Sequence, residues 1–274
     1  MGIAIEKRLA PSMPWQTASV LLALLASALV SALLLKSAGA DLGTAAGALW
    51  DGAFGNWRAT WKTLVKATPL MLTGLAAAVA FRARIWNIGA EGQLYAGAIL
   101  AYWVSLLLGG LPAAMLVPLL FIAFRIDEVI STVMLNYIIL YFLSFMLTGP
   151  WRDPSSFFQQ SPKVADNSVL PNLVSGTKLH LGFLVALTVV AIVQIMITRT
   201  SLGYEIRAVG LNEKAARFKG IGVERMTVIV MLISGGIAGL AGVTEVFGVQ
   251  GRLNPGISVG FGFTGIVIAV LALL

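Results

Sequence analysis

Long apolar runs alternate with short polar breaks along the chain. Runs of spanning length fall near 18–36, 64–81, 88–108, 129–148, 181–198, 227–250 and 259–274, with a weaker one at 112–124. A bilayer core takes about 20 apolar residues of helix, and hydrocarbon offers no partner to an unpaired backbone amide. The pattern therefore predicts an all-α integral membrane protein, a polytopic helical bundle of about eight spans forming one transmembrane domain over 1–274. Two places depart from it. Twelve residues between Pro112 and Arg125 reach about 18 Å, short of a ~30 Å core, which suggests a mismatched or re-entrant helix. The chain also stops at "VIAVLALL" with no polar flank, so a fragment lacking internal and C-terminal segments is expected.

Composition supports the membrane reading. The chain is 58% hydrophobic and 11% charged, against about 25% charged in soluble domains, and its mean hydropathy is +0.89. Lys7 and Arg8 precede the first run and Ala38-Gly39-Ala40 resembles a cleavage site. That run is longer than the ~7–15 apolar residues of a signal peptide, so it reads as an uncleaved first span. With the N-terminus cytoplasmic and eight spans alternating, inner segments hold eleven of the 19 Lys and Arg and outer segments hold eight. The bias is small; the decision rests on six basic residues between Arg199 and Met226, which mark 199–226 as a cytoplasmic loop. The segment 149–180, rich in Pro, Ser and Asn, then reads as an ordered extracytoplasmic loop.

Polar residues inside the spans are the first candidates for function, because they are costly there and face a bundle interior or a water path. Glu128, Thr132 and Asn136 recur every four residues and share one helix face. Glu91 and Gln93 follow Asn87 and Gly89 at the start of a run, the pattern either of a broken helix that exposes amides to a solute or of a capped helix end. Glu245, near the end of its span, either reaches outward to solvent or faces the path. Glu91, Gln93, Asn136 and Glu245 are the candidate path residues. "SGGIAGLAG" sets Gly235, Gly239 and Gly242 at small-residue spacing, a close-packing face within the chain or between two subunits.

Other chemistry is missing. No G-x-x-x-x-G-K-[ST] phosphate loop occurs, so ATP binding of that kind is not expected. Cysteine is absent and His180 is the one histidine. It reads as a loop or helix-end residue, and no metal or other cofactor is expected.

One polar element remains. "RAVGLNEKAARFKGIGVERM", Arg207–Met226, lies between two apolar runs. Asn212 suits an N-cap, Glu213 the positive end of a helix dipole, Lys219 the negative end and Gly220 a left-handed C-terminal position. Residues 213–219 therefore predict about two turns of self-capped helix. Ala215 and Ala216 keep part of its surface small enough for a partner to come close. The plain alternative is a surface helix with its basic residues on lipid head groups.

"SLGYEIRAVGLNEKAARFKGIGVERM" resembles the coupling loop of ABC importer permeases of the simple-sugar and nucleoside type, within the branched-chain amino acid and ribose-like superfamily. "FRARIWNIGAEGQLYAGA", "DEVISTVMLNYI", "TGPWRDP" and "GRLNPGISVGFGFTGIVIAVLA" resemble the family's other blocks in the same order, so that the likeness covers most of 64–274. It implies a multi-pass subunit of a bacterial plasma membrane with a second permease subunit, a cytoplasmic ABC ATPase and an extracytoplasmic substrate-binding lipoprotein as partners. Hydrolysis would belong to the ATPase, and no nucleic acid is involved. The resemblance places ATPase coupling on Asn212, Glu213, Ala215, Ala216, Arg217 and Gly220. It also implies a longer segment before "DEVISTVMLN" and further spans after Leu274. The "GPWRDP" block leans toward the nucleoside branch. The alternative class is a stand-alone secondary transporter or channel for a small polar solute, which would show internal repeats and ion-coupling charges; neither is evident.

Overall fold

The computed structural model describes residues 13–107 and 129–273, and every regular element among them is helical. The weak run at 112–124, Glu128 and the side chain of Thr132 lie outside the described part.

The first helix, α1 (Met13–Ser37), exposes its leucines along its whole length, as a lipid-facing helix does. A short α2 (Leu42–Ala53) follows, opened by Asp41, whose carboxylate accepts the Thr44 amide at 2.7 Å. The third helix, α3 (Trp57–Arg82), starts seven residues before the apolar run because Asn56 caps it, accepting the Ala59 amide at 2.9 Å. Next come α4 (Ala90–Leu107), α5 (Val129–Thr148) and α6 (Gly182–Arg199). Two polar-region helices, α7 (Ser201–Leu211) and α8 (Glu213–Phe218), precede α9 (Val223–Thr244), which continues into a π-helical turn, Glu245–Gln250. The last helix is α10 (Phe261–Leu273). Among the described residues, four segments are long and apolar enough to cross a bilayer: Val20–Ser37, α3, α6 and Val223–Gln250.

The core is a contact among four helices. α9 packs on α4 and α3, and α10 packs on α3. Backbones meet along α9 and α4: a Cβ on Gly97 would overlap the Gly239 carbonyl, and one on Gly242 would overlap the Leu94 carbonyl and lie 2.7 Å from the Ala98 nitrogen. The small residues of "SGGIAGLAG" thus make a contact within the chain. Gly235 faces Gln93, whose Nε2 would lie 3.3 Å from a Cβ there.

The segment 149–180 holds one 3-10 turn, Asp166–Ser168, and is ordered by hydrogen bonds to the π-helical turn and the residues after it. The Leu170 amide donates to the Phe247 carbonyl at 2.8 Å, Val164 to Gly251 at 2.9 Å, and Ser161 exchanges two 2.9 Å bonds with Leu253. Asn172 and His180 form an isolated antiparallel bridge, turned at Gly176 with φ +78°. His180 closes this segment two residues before α6. Its Nδ1 accepts the Gly182 amide at 3.1 Å and its ring lies where a Cβ on Gly248 would be. Burial lowers its pKa from 6.5 to about 4. The unfolded chain therefore takes up a proton that the folded one refuses. The stabilising difference is complete above pH 6.5 and is lost as pH falls toward 4. Thermal unfolding in detergent between those pH values should fall more steeply for the native chain than for His180→Gln.

Candidate functional site

The predicted polar helix forms, closed at both ends. Asn212 Oδ1 accepts the Ala215 amide at 3.1 Å. At the other end Ile221 donates to Ala216 at 3.1 Å and Gly220 to Arg217 at 2.9 Å, with Gly220 at φ +81°. These two bonds are the paired closure that a left-handed residue makes possible. The same closure ends α3: Ile85 donates to Ala80 at 3.0 Å and Arg84 to Phe81 at 2.9 Å, with Arg84 at φ 58° in the left-handed place.

α8 is fixed to the bundle on one side. Ala216 is 3% exposed and packs into the chain's own core, while Ala215 faces solvent. The small surface available to a partner is therefore that of Ala215, and Ala216 seats the helix. Arg217 bridges Glu213 at 3.1 Å and Glu224 at 2.6 Å, tying α8 to the start of α9. Exposed pairs of this kind contribute little energy, so their effect is to set direction. Gly210 of α7 leaves no room for a Cβ against the Arg82 carbonyl, which docks α7 on the end of α3. Phe218 is 93% exposed and Leu211 77% exposed, one on each side of the capped helix. Neither was singled out by sequence; the available signal was a large apolar residue at each end of a self-capped polar helix.

A second polar cluster lies inside the bundle. Asn87 Nδ2 donates to Gln93 Oε1 at 2.9 Å and to Ser234 Oγ at 2.7 Å, and Ser234 Oγ donates to the Ala76 carbonyl at 2.7 Å. Asn136 Oδ1 accepts the Gly92 amide at 2.7 Å while its Nδ2 donates to the Ile88 carbonyl at 3.2 Å. Glu91 Oε2 accepts the Gly262 amide at 2.6 Å. The structure thus brings Glu91, Gln93 and Asn136 together, all buried. Asn136 caps the start of α4, and Glu91 caps the start of α10. Asn87 and Ser234 belong to the same network.

A family model for the permease component of branched-chain amino acid transport systems matches residues 60–274. The chain belongs to this permease family. It is 33% identical over 273 residues to a guanosine ABC transporter permease of Bacillus subtilis, covering 92% of this chain and 78% of that one. It is 35% identical over 238 residues to a glucose ABC transporter permease of Haloferax volcanii, covering 77% and 62% respectively. A nucleoside ABC transporter permease of Lactococcus lactis is 32% identical over 250 residues, covering 81% and 69%. The permease thus spans between about three fifths and four fifths of the length of these relatives. No solved structure gives a significant match. The permease is a multi-pass membrane subunit of an ABC transporter, and in this family ATP hydrolysis belongs to a separate protein. The family also implies a substrate-binding partner.

The permease's large cavity lies far from α8. Val223–Gln250 runs 28 residues, roughly 40 Å at helical rise, from beside α8 to the cavity wall. The cavity measures about 800 Å³ and is bounded by the first turns of α3, the turn at 176–178, the π-helical turn and residues 256–261. Trp57, Trp61, Val249, Ile257 and Phe261 give it apolar walls, and Arg58, Lys62 and Lys178 line it as well. Glu245 opens the π-helical turn and lines this space while only 4% exposed. The segment 149–180 is bonded to Phe247 and Gly251 beside it. Single π-helical turns frequently mark functional sites.

Proposed function

We propose that this permease carries nucleosides or simple sugars inward across a bacterial plasma membrane, with 199–226 cytoplasmic and 149–180 outside. α8 docks in a cytoplasmic ABC ATPase, a second permease subunit completes the pore, and a lipoprotein delivers solute to the cavity end. The names of the relatives support the substrate classes. The observation that carries the reading is the pairing of rigid seating and apolar exposure at 211–220. Ala216 and the Arg217 bridges fix the helix, while Leu211 and Phe218 stand free for a groove. Exposed apolar anchors of this kind mark protein interfaces.

Gly220 and Asn212 keep the helix short and in place. Gly235, Gly239 and Gly242 let α9 move with α4 as one body, so a displacement at α8 reaches the π-helical turn. In the same reading Glu245 faces the path, and Glu91, Gln93 and Asn136 hold the helix starts that frame it. Affinity purification of the full-length protein tests the assignment. An ATPase should come with it and uptake should require ATP. Uptake driven by an ion gradient without any ATPase would overturn the reading in favour of a secondary transporter.

A further inference from the structure

Cations crowd the cavity at the π-helical turn. Arg58, Lys62 and Lys66 recur every four residues along α3 and so share one face, and Lys178 meets them from the turn at 176–178. All four are exposed, and among the described residues none joins an ion pair. Glu245 is the one acid in the lining, and the field that reaches it is that of Lys66. The other three cations stand uncompensated around one space. On the same wall the Trp61 Nε1–H, a donor with no acceptor capacity, is buried without a partner. Such a lining suits an anion rich in acceptor oxygens. Depth separates it from an ordinary solvated face. α3 is 26 residues long, about 39 Å at helical rise, against a ~30 Å hydrocarbon core. With Arg82 at one border of the core, about 20 helical residues bring the other border to Lys62. Arg58 and Lys62 then lie level with lipid phosphates. Lys66 sits a turn deeper, but helical side chains lean toward the N-terminus, so its long stem can carry the ammonium to the same level. Trp57 and Trp61, edge to face at 4.7 Å, share that level, as aromatic residues do at a membrane border. The mouth beside the charge is apolar: Trp57 is 70% exposed and Val259 77%.

We propose that this cavity binds the phosphodiester headgroup of an anionic phospholipid. The cations and the Trp61 Nε1–H face the phosphate oxygens, and the acyl chains leave through the mouth at Trp57 and Val259. The proposal rests on the chain's place in a membrane and not on the solute it carries. Phosphate is common to lipid headgroups and soluble phosphate esters; the depth of the cations and the apolar mouth assign it to lipid. A zwitterionic headgroup brings an ammonium of its own into a space already positive, so the site selects lipids of net negative charge. A headgroup held there joins α3 to the turn at 176–178. It relieves the repulsion among the four cations and holds the segment 149–180 against the bundle.

The test titrates the assembled transporter in neutral detergent with phosphatidylglycerol or phosphatidylcholine, each brominated near the glycerol, and reads the quenching of Trp fluorescence. The native protein should bind phosphatidylglycerol the more tightly and gain thermal stability from it alone. A basic residue beside anionic lipid contributes about fivefold in affinity, so Arg58→Gln with Lys62→Gln should weaken phosphatidylglycerol binding roughly twentyfold. Both side chains are exposed, so the thermal midpoint without lipid should not move. Lys178→Gln, on the opposite wall, should weaken binding about fivefold by itself. Arg58→Lys with Lys62→Arg keeps both charges and should keep the preference. Lys36→Gln with Lys163→Gln removes two exposed cations outside the cavity and should also keep it. A preference that survives in Arg58→Gln with Lys62→Gln overturns the proposal. Equal loss in the Lys36 and Lys163 control overturns it too, by showing diffuse surface charge. Glycerol 3-phosphate that displaces the lipid at equal concentration would assign the site to a soluble phosphate ester instead.

Discussion

Phe218→Asp should separate this permease from its ATPase and leave the permease itself folded. The side chain is 93% exposed, so the fold loses almost no contact. A buried interface anchor typically contributes 2 kcal/mol or more, which is about thirtyfold in affinity. Co-purification of the ATPase should therefore be lost and uptake should fall at least tenfold, with yield and thermal midpoint matching the native protein. Ala216→Asp, two residues away, should behave differently. It puts a carboxylate into the chain's own core, so its thermal midpoint should fall together with the coupling. If Phe218→Asp keeps both ATPase and uptake, the apolar anchor has been assigned to the wrong residue.

The second large effect is expected at the closest helix crossing. A Cβ on Gly242 already overlaps the Leu94 carbonyl and comes within 2.7 Å of the Ala98 nitrogen. Both obstacles are backbone, so no side chain can rotate away. Gly242→Leu must push α9 off α4, and overpacking of this kind costs roughly 1–3 kcal/mol, more where backbone blocks relaxation. Most of the protein should aggregate in detergent, and what survives should unfold at a lower temperature. Gly52→Leu is the control, because nothing lies within 4 Å of a Cβ there. Equal behaviour of the two variants would show that the crossing tolerates separation.

The sequence carried the helical architecture and the short polar helix further than it carried the cavity. α8 was legible because its boundaries are chemical. Asn212 can cap from within its own turn, and Gly220 takes a backbone conformation that other residues avoid. Apolar runs located α4, α5, α6 and α10 to within two residues, since each must present about that length to lipid or core. Two helices escaped notice. α2 and α7 begin at Asp41 and Thr200, whose side chains accept the Thr44 amide at 2.7 Å and the Gly203 amide at 3.1 Å. Each cap sits in a short segment with no long apolar run to draw attention to it. α3 began early for a related reason, as Arg58, Lys62 and Lys66 masked a helix that lines a polar-rimmed space.

The cavity could not be read because its walls come from three regions far apart in sequence, and the π-helical turn has no signature that separates it from α-helix. Glu245 opens a turn to which a distant loop is bonded through Phe247 and Gly251, a contact that no local pattern displays. Two residues on one short helix, Ala215 and Ala216, were alike in sequence; only packing shows which faces the bundle.

The account's central claim is that 211–220 meets a cytoplasmic motor while the cavity opens on the other side. The permease has no cysteine, so Phe218→Cys and Ser175→Cys each introduce a unique thiol at an exposed position. Intact cells treated with a membrane-impermeant maleimide should label the protein carrying Ser175→Cys. The Phe218→Cys protein should react only after permeabilisation, and less when the ATPase is co-expressed. Labelling of Phe218→Cys from outside intact cells would contradict the account.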